Sequence, residues 1–129
     1  MAARPLKGLL DRLRPGASGE DLACRHLARQ GYAILCRNFR CRSGEVDVVA
    51  AREGVTVFVE VKERRGKSYG AGFEAVTFGK RRRLLRAARL YAASRGLSET
   101  PVRFDVISID WEEGRPRLRH DTDAFAAED

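Results

Sequence analysis

Between Gly44 and Lys62 the chain reads Gly-Glu-Val-Asp-Val-Val-Ala-Ala-Arg-Glu-Gly-Val-Thr-Val-Phe-Val-Glu-Val-Lys, and no other stretch limits the fold so strongly. Two runs rich in β-branched residues, 46–51 and 55–61, flank Arg52-Glu53-Gly54, which predicts a β-hairpin. A two-residue turn of Glu53 and Gly54 pairs Arg52 with Val55 and sets Asp47 opposite Glu60. A three-residue turn would slip the register by one and move Asp47 away. Gly54 accepts positive φ without strain, which favours the two-residue turn. Side chains alternate along a strand, so Glu60 and Lys62 share one face, and Val59 and Val61 take the other.

Charges on such an apolar hairpin have two explanations. One is a salt-bridge cluster on a solvated sheet face. The other is a cation site, because neighbouring carboxylates repel each other unless a cation lies between them. Oxygen donors of this kind suit Mg²⁺ or Mn²⁺. Spacing alone leaves both open.

The flanking segments set the architecture. Residues 1–17 form a basic arm in which Leu6, Leu9, Leu10 and Leu13 alternate with Arg4, Lys7, Arg12 and Arg14. This is not the unbroken apolar segment of a secretory signal. Ser18 followed by Asp21 predicts a capping box and a helix from Gly19 to Gln30, stopped at Gly31. On that helix Glu20 aligns with Ala23, Cys24 and Leu27, either to favour the helix dipole or to lean a third acid over Asp47 and Glu60. A first strand over 32–40 should place Ile34 and Cys36 on one face and Leu35 and Phe39 on the other. Glu45, at the mouth of the turn before the hairpin, reads as a supporting residue.

After the hairpin, 63–72 is a Gly-rich basic loop with Arg64, Arg65, Lys67 and Tyr69, suited either to gripping phosphate or to connecting. Thr77 can cap a second helix, 78–95, whose buried stripe is Leu84, Leu85, Ala88, Tyr91 and Ala92. From Lys80 to Arg95 this helix holds seven cations and no acid. Such a run repels itself without a polyanion, so Arg82, Arg86 and Arg89 are assigned to phosphate binding. Lys80 lies at the edge of the buried stripe, where it can approach the active face. A strand over 102–110 carries Asp105, expected to pair with a helix arginine, and a short edge strand follows near 117–119. The acidic end should fray from Ala124.

The domain is therefore 18–120, between the arm and a tail at 121–129, an α/β fold in the order αβββαβ with a mixed sheet flanked by helices. With a net charge of +7 and a pI near 9.9, its favoured partner is nucleic acid. No apolar run approaches the roughly 20 residues that span a bilayer, so no membrane partner is expected. Cys24, Cys36 and Cys41, an odd count in no metal-binding spacing, read as reduced thiols of a cytoplasmic protein, two of them in the core.

Asp47 followed by Glu60-Val61-Lys62 resembles the D…(D/E)-x-K signature of restriction-endonuclease-like nucleases. Together with Gly19-Glu20, Arg37-Asn38-Phe39-Arg40 and Gly44-Glu45-Val46-Asp47, the chain resembles the bacterial YraN-type family, related by fold to archaeal Holliday junction resolvases. Val46 replaces the proline that precedes the aspartate in the wider superfamily. The resemblance covers about residues 19–110 and implies a restriction-endonuclease-like core. It implies Asp47, Glu60, the Val61 carbonyl and Glu20 as the set for Mg²⁺ (or Mn²⁺), and Lys62 as the group that orients water or stabilises the phosphate. The expected activity is phosphodiester hydrolysis of DNA, branched or repair intermediates included, by a nucleoid-associated protein. A homodimer would match the symmetry of a four-way junction. The alternatives are a non-catalytic nucleic-acid-binding module and a protein-binding scaffold.

Overall fold

The computed structural model describes residues 18–65 and 78–126. In chain order the elements are α1 (Gly19–Arg29), β1 (Ala33–Cys41), β2 (Gly44–Arg52), β3 (Val55–Arg65), α2 (Phe78–Ser94), β4 (Val102–Glu112) and β5 (Arg115–Asp121). The five strands form one mixed sheet in the order β1-β2-β3-β4-β5. Adjacent strands are antiparallel except β3 and β4, which run parallel because α2 carries the chain back between them. The Glu53-Gly54 turn has two residues, as expected, and Arg52 pairs with Val55. Both turn residues have positive φ, 51° and 80°, the combination whose twist suits a two-residue hairpin.

One helix covers each face. Leu84, Leu85, Ala88 and Tyr91 of α2 pack on Val49, Phe58, Phe104 and Val106. Ala23, Cys24 and Leu27 of α1 pack on Ile34, Val48, Val57, Val59 and Ile107 on the other side. The capping box is formed: Ser18 Oγ accepts from the Asp21 N–H at 3.2 Å, and Asp21 accepts from the Ser18 N–H at 3.0 Å. No helix among the described residues is long and apolar enough to cross a membrane. Thr77, Lys67, Tyr69 and the arm 1–17 lie outside the described residues.

Four expectations need correction. A register shift between Ile34 and Cys36 sends Leu35 and Cys36 together to the α2 side, so β1 does not alternate as predicted. The chain does not fray at Ala124. Its N–H donates to the Phe104 carbonyl at 2.7 Å, and Phe125 is buried, its ring stacked 5.3 Å from Phe104. All three cysteines are free thiols, but only Cys24 is buried, and burial pushes its thiol up to about 12.

The fourth correction concerns Asp105, which pairs with no helix arginine. It is fully buried and receives Arg103 through Nε at 2.8 Å and Nη2 at 2.7 Å, together with the Asp123 N–H at 3.0 Å. His120 Nε2 lies 2.7 Å from its Oδ2, and His120 Nδ1 lies 3.0 Å from His26 Nε2 on α1. The network braces β4, β5, the chain after β5 and α1. Burial alone would raise the Asp105 pKa, but the hydrogen bonds from Arg103, His120 and Asp123 outweigh it and hold it down to about 2. Asp105→Ala should cost about 3–5 kcal/mol in urea unfolding, because it strands Arg103 beside an empty partner position. A lowered carboxyl pKa stabilises above the unfolded value and loses that effect as pH falls through the folded one. The parent's advantage should therefore shrink between about pH 4 and pH 2.

Candidate active site

The site lies where β2 and β3 part. Their pairing runs from Arg52 opposite Val55 to Val48 opposite Val59. Beyond that point the Val61 N–H donates to the Asp47 carboxylate, Oδ2, at 2.8 Å. The strand alternation also breaks here. Val46 belongs to the core under α2, whereas Val48, two residues on, belongs to the core under α1. Across from Asp47 on β1, Asn38 takes a positive φ of 53°. Asp47 thus projects from a local irregularity into the fork between two strands, the kind of position where strands re-aim a functional side chain.

Glu60 neighbours Asp47 there, close enough for the Asp47 charge to act on its carboxyl group. Burial raises the Glu60 pKa first, and the neighbouring Asp47 charge adds to it. The nearby Lys80 charge pulls the other way, and the result is a value of about 7. Asp47 is also raised by burial, offset in part by the Val61 N–H. Such a pair holds a proton near neutrality because two adjacent carboxylates resist ionising together. Lys62 follows on the same strand face as Glu60, beside Ser108 of β4.

A cleft of about 310 Å³ opens over Glu60, lined by Glu45, Glu60, Lys80 and Arg83. Lys80, at the edge of the helix stripe, therefore lines the same cleft as Glu60. Glu45 has an exposed ion pair with Arg40 at 3.6 Å, and its charge also raises the pKa values of Asp47 and Glu60.

Glu20 is held differently. Its Oε1 accepts from Arg37 Nε at 2.9 Å and Asn38 Nδ2 at 3.0 Å, and forms an ion pair with Arg37 Nη2 at 2.8 Å. Its charge still reaches Asp47, but its oxygen is engaged by β1. Among the described residues, no three His, Cys, Asp or Glu side chains form a group that could hold a metal ion. The carboxylates brought together are thus Asp47 and Glu60, with the Val61 backbone beside them.

Of the proposed phosphate contacts, Arg82, Arg86 and Arg89 are exposed on the outer side of α2. Arg65 pairs with Glu63 at 2.9 Å and lies over the Trp111 ring at 4.6 Å, while Arg64 is half-buried at the end of β3. Two contributors went unread in the sequence. Arg83 was grouped with the other helix cations, and only the fold turns it into the cleft. Gly44 read as turn chemistry, yet a Cβ there would lie 1.9 Å from the Arg83 carbonyl oxygen. The start of β2 thus touches the α2 backbone, and that contact sets the cleft wall.

The same segment is matched in known proteins. Residues 19–109 fit Uncharacterised protein family UPF0102, the YraN family. This chain belongs to that family. A UPF0102 protein of Symbiobacterium thermophilum is 50% identical over 115 residues, covering 88% of this chain and 98% of the relative. A Rhodococcus jostii UPF0102 protein is 49% identical over 111 residues, covering 85% and 94%. A UPF0102 protein of Geobacter sulfurreducens is 49% identical over 112 residues, covering 85% and 87%. The family match contains every residue of the cleft and ends within β4, before His120 and Phe125.

Two outcomes follow from this geometry. Gly44→Ala must push α2 off the sheet edge, costing about 1–3 kcal/mol by denaturant unfolding. Glu60→Gln tests the raised pKa of Glu60. A raised carboxyl pKa stabilises below the unfolded value, near 4.5, and loses that effect as pH rises through about 7. The variant should therefore melt higher than the parent above about pH 7, and the two should converge near pH 4.5.

Proposed function

We propose that the protein is a metal-dependent nuclease acting on DNA, with branched or repair intermediates among its substrates, built on a restriction-endonuclease-like core. The observation that carries this reading is the half-buried Asp47–Glu60 pair at the fork of β2 and β3, with Glu60 opening into a cleft flanked by Lys80 and Arg83. Two carboxylates that retain a proton near neutrality are poised to exchange it for a hard cation, and their oxygens fit Mg²⁺ or Mn²⁺. Asp47, Glu60 and the Val61 carbonyl would hold that ion, with Glu20 close enough to add charge. The chemistry such a cation supplies is neutralisation of the scissile phosphate and a more acidic water.

The chain's own residues would do the rest. Lys80 and Arg83 bring positive charge to the cleft, where they would hold the phosphate. Lys62, on the Glu60 face of β3, would orient the attacking water or balance charge on the phosphate. Arg82, Arg86 and Arg89 would grip the backbone along α2 without reading sequence. In a second reading the protein is a non-catalytic nucleic-acid-binding module. It is favoured by one observation, the engagement of Glu20 with Arg37 and Asn38, which leaves two acids rather than three at the fork.

Cleavage of a labelled panel separates these readings: duplex, single strand, flap and four-way junction, each with Mg²⁺ or Mn²⁺. The nuclease reading expects cleavage of at least one substrate by the parent and none by Glu60→Ala. Binding to every substrate without cleavage would favour the module instead. Without metal, Glu60→Ala should bind DNA as tightly as the parent or more so, since it removes a negative charge. Arg82→Ala with Arg86→Ala should weaken binding and reduce the salt slope by about two, while metal affinity stays unchanged.

A further inference from the structure

The outer ridge of α2 begins with an aromatic side chain. Phe78, the first residue of the helix, is 57% exposed, and the Arg82 guanidinium carbon lies 4.9 Å from its ring centroid. With 3.6 residues per turn, Phe78, Arg82, Arg86 and Arg89 fall within one sector of about 80°. The ridge thus carries one ring followed by three cations at roughly one per turn. Lys80 and Arg83, from the same first turns, face the cleft instead. The start of α2 therefore separates the catalytic cleft from an exposed ring with a cation stacked on it.

Single exposed apolar residues are ordinary on protein surfaces. Phe78 differs in its company. It has no polar atom to offer water, it begins the helix that supplies Lys80 and Arg83 to the cleft, and Arg82, Arg86 and Arg89 follow it along the ridge. A ring beside phosphate-reaching cations is the arrangement that takes an unpaired base, because every base has a π-face. The guanidinium over the ring adds cation–π attraction and can reach the adjoining phosphate.

We propose that Phe78 stacks on an unpaired base, so that the strand entering the cleft arrives with a single-stranded segment lying along the outer ridge of α2. The substrate class is then nucleic acid with a free arm, such as a flap or splayed end, in preference to blunt duplex. An intact duplex offers its phosphates to Arg82, Arg86 and Arg89 but keeps its bases stacked on one another, away from Phe78. This inference rests on the nucleic-acid reading of the cleft and adds the feature that selects among substrates.

The test is fluorescence anisotropy of the full chain in EDTA, with a labelled oligothymidylate and a blunt duplex of equal length. Parent, Phe78→Ala and Phe78→Tyr proteins are compared. Loss of a stacked base should weaken single-strand binding of Phe78→Ala about tenfold, with duplex binding within about twofold of the parent. Phe78→Tyr should restore single-strand binding. Equal weakening on both probes, or unchanged single-strand binding in Phe78→Ala, would overturn the stacking role while leaving the nuclease reading intact. Failure of the parent to bind either probe would sink the nucleic-acid reading and this inference with it.

Discussion

The hydrogen bond from the Val61 N–H to the Asp47 carboxylate stands where backbone pairing between β2 and β3 stops. A strand N–H buried beside a sheet has to find an acceptor, and here a side chain takes the place of a ladder carbonyl. The two strands are thereby free to part, while β3 stays anchored to β4 as far as Arg65 opposite Trp111. Asp47 is held over its neighbour Glu60, and the cleft opens above them. On the far side of β2, Gly44 lies against the α2 backbone, so the same strand that carries Asp47 also fixes the helix that brings Lys80 and Arg83. Fork, acids and cations are therefore positioned by one strand.

The charge distribution follows from this arrangement. Burial raises both pKa values in the partly desolvated fork, the Asp47 charge raises Glu60 further, and Lys80 on α2 partly compensates Glu60. Glu20 contributes charge from α1 but is itself neutralised by Arg37, which also binds Asp21 at 2.8 Å. The arginine clamp prevents a third acid from adding its full repulsion to the pair. On the α1 face of the same sheet, Asp105 stays ionised despite its burial because Arg103 and His120 satisfy it. Two aspartates in one sheet thus have opposite tendencies. Burial raises Asp47, whereas Arg103, His120 and the Asp123 N–H hold Asp105 down against its burial.

Much of this was legible in local sequence. The valine-rich hairpin and the Glu53-Gly54 turn set the register, and the register brings Asp47 to Glu60. Helical periodicity placed Leu84, Leu85, Ala88, Tyr91 and Ala92 inward and the ridge arginines outward. What stayed hidden depends on distant parts of the chain. The break in alternation that sends Val46 and Val48 to different cores accompanies a positive φ at Asn38, a conformation asparagine tolerates but one that a strand-like run does not signal. His26 and His120 meet across 94 positions, and neither lies in a motif. Phe125 looked like part of an acidic tail because Asp121, Asp123, Glu128 and Asp129 surround its alanine-flanked position, yet Phe104 offers it a ring to stack on. The close approach of Gly44 to α2 carries no local signature, since a glycine after Arg42-Ser43 also suits a turn.

The central claim is that Glu60, beside Asp47, keeps its proton to near neutrality and yields it to a divalent cation. Carbon-13 NMR of the two carboxyl groups, titrated with pH in the absence and presence of Mg²⁺, tests it most directly. The account predicts coupled titration with a midpoint near 7 that falls when Mg²⁺ is added. Two independent carboxyls titrating at ordinary values, indifferent to Mg²⁺, would contradict it.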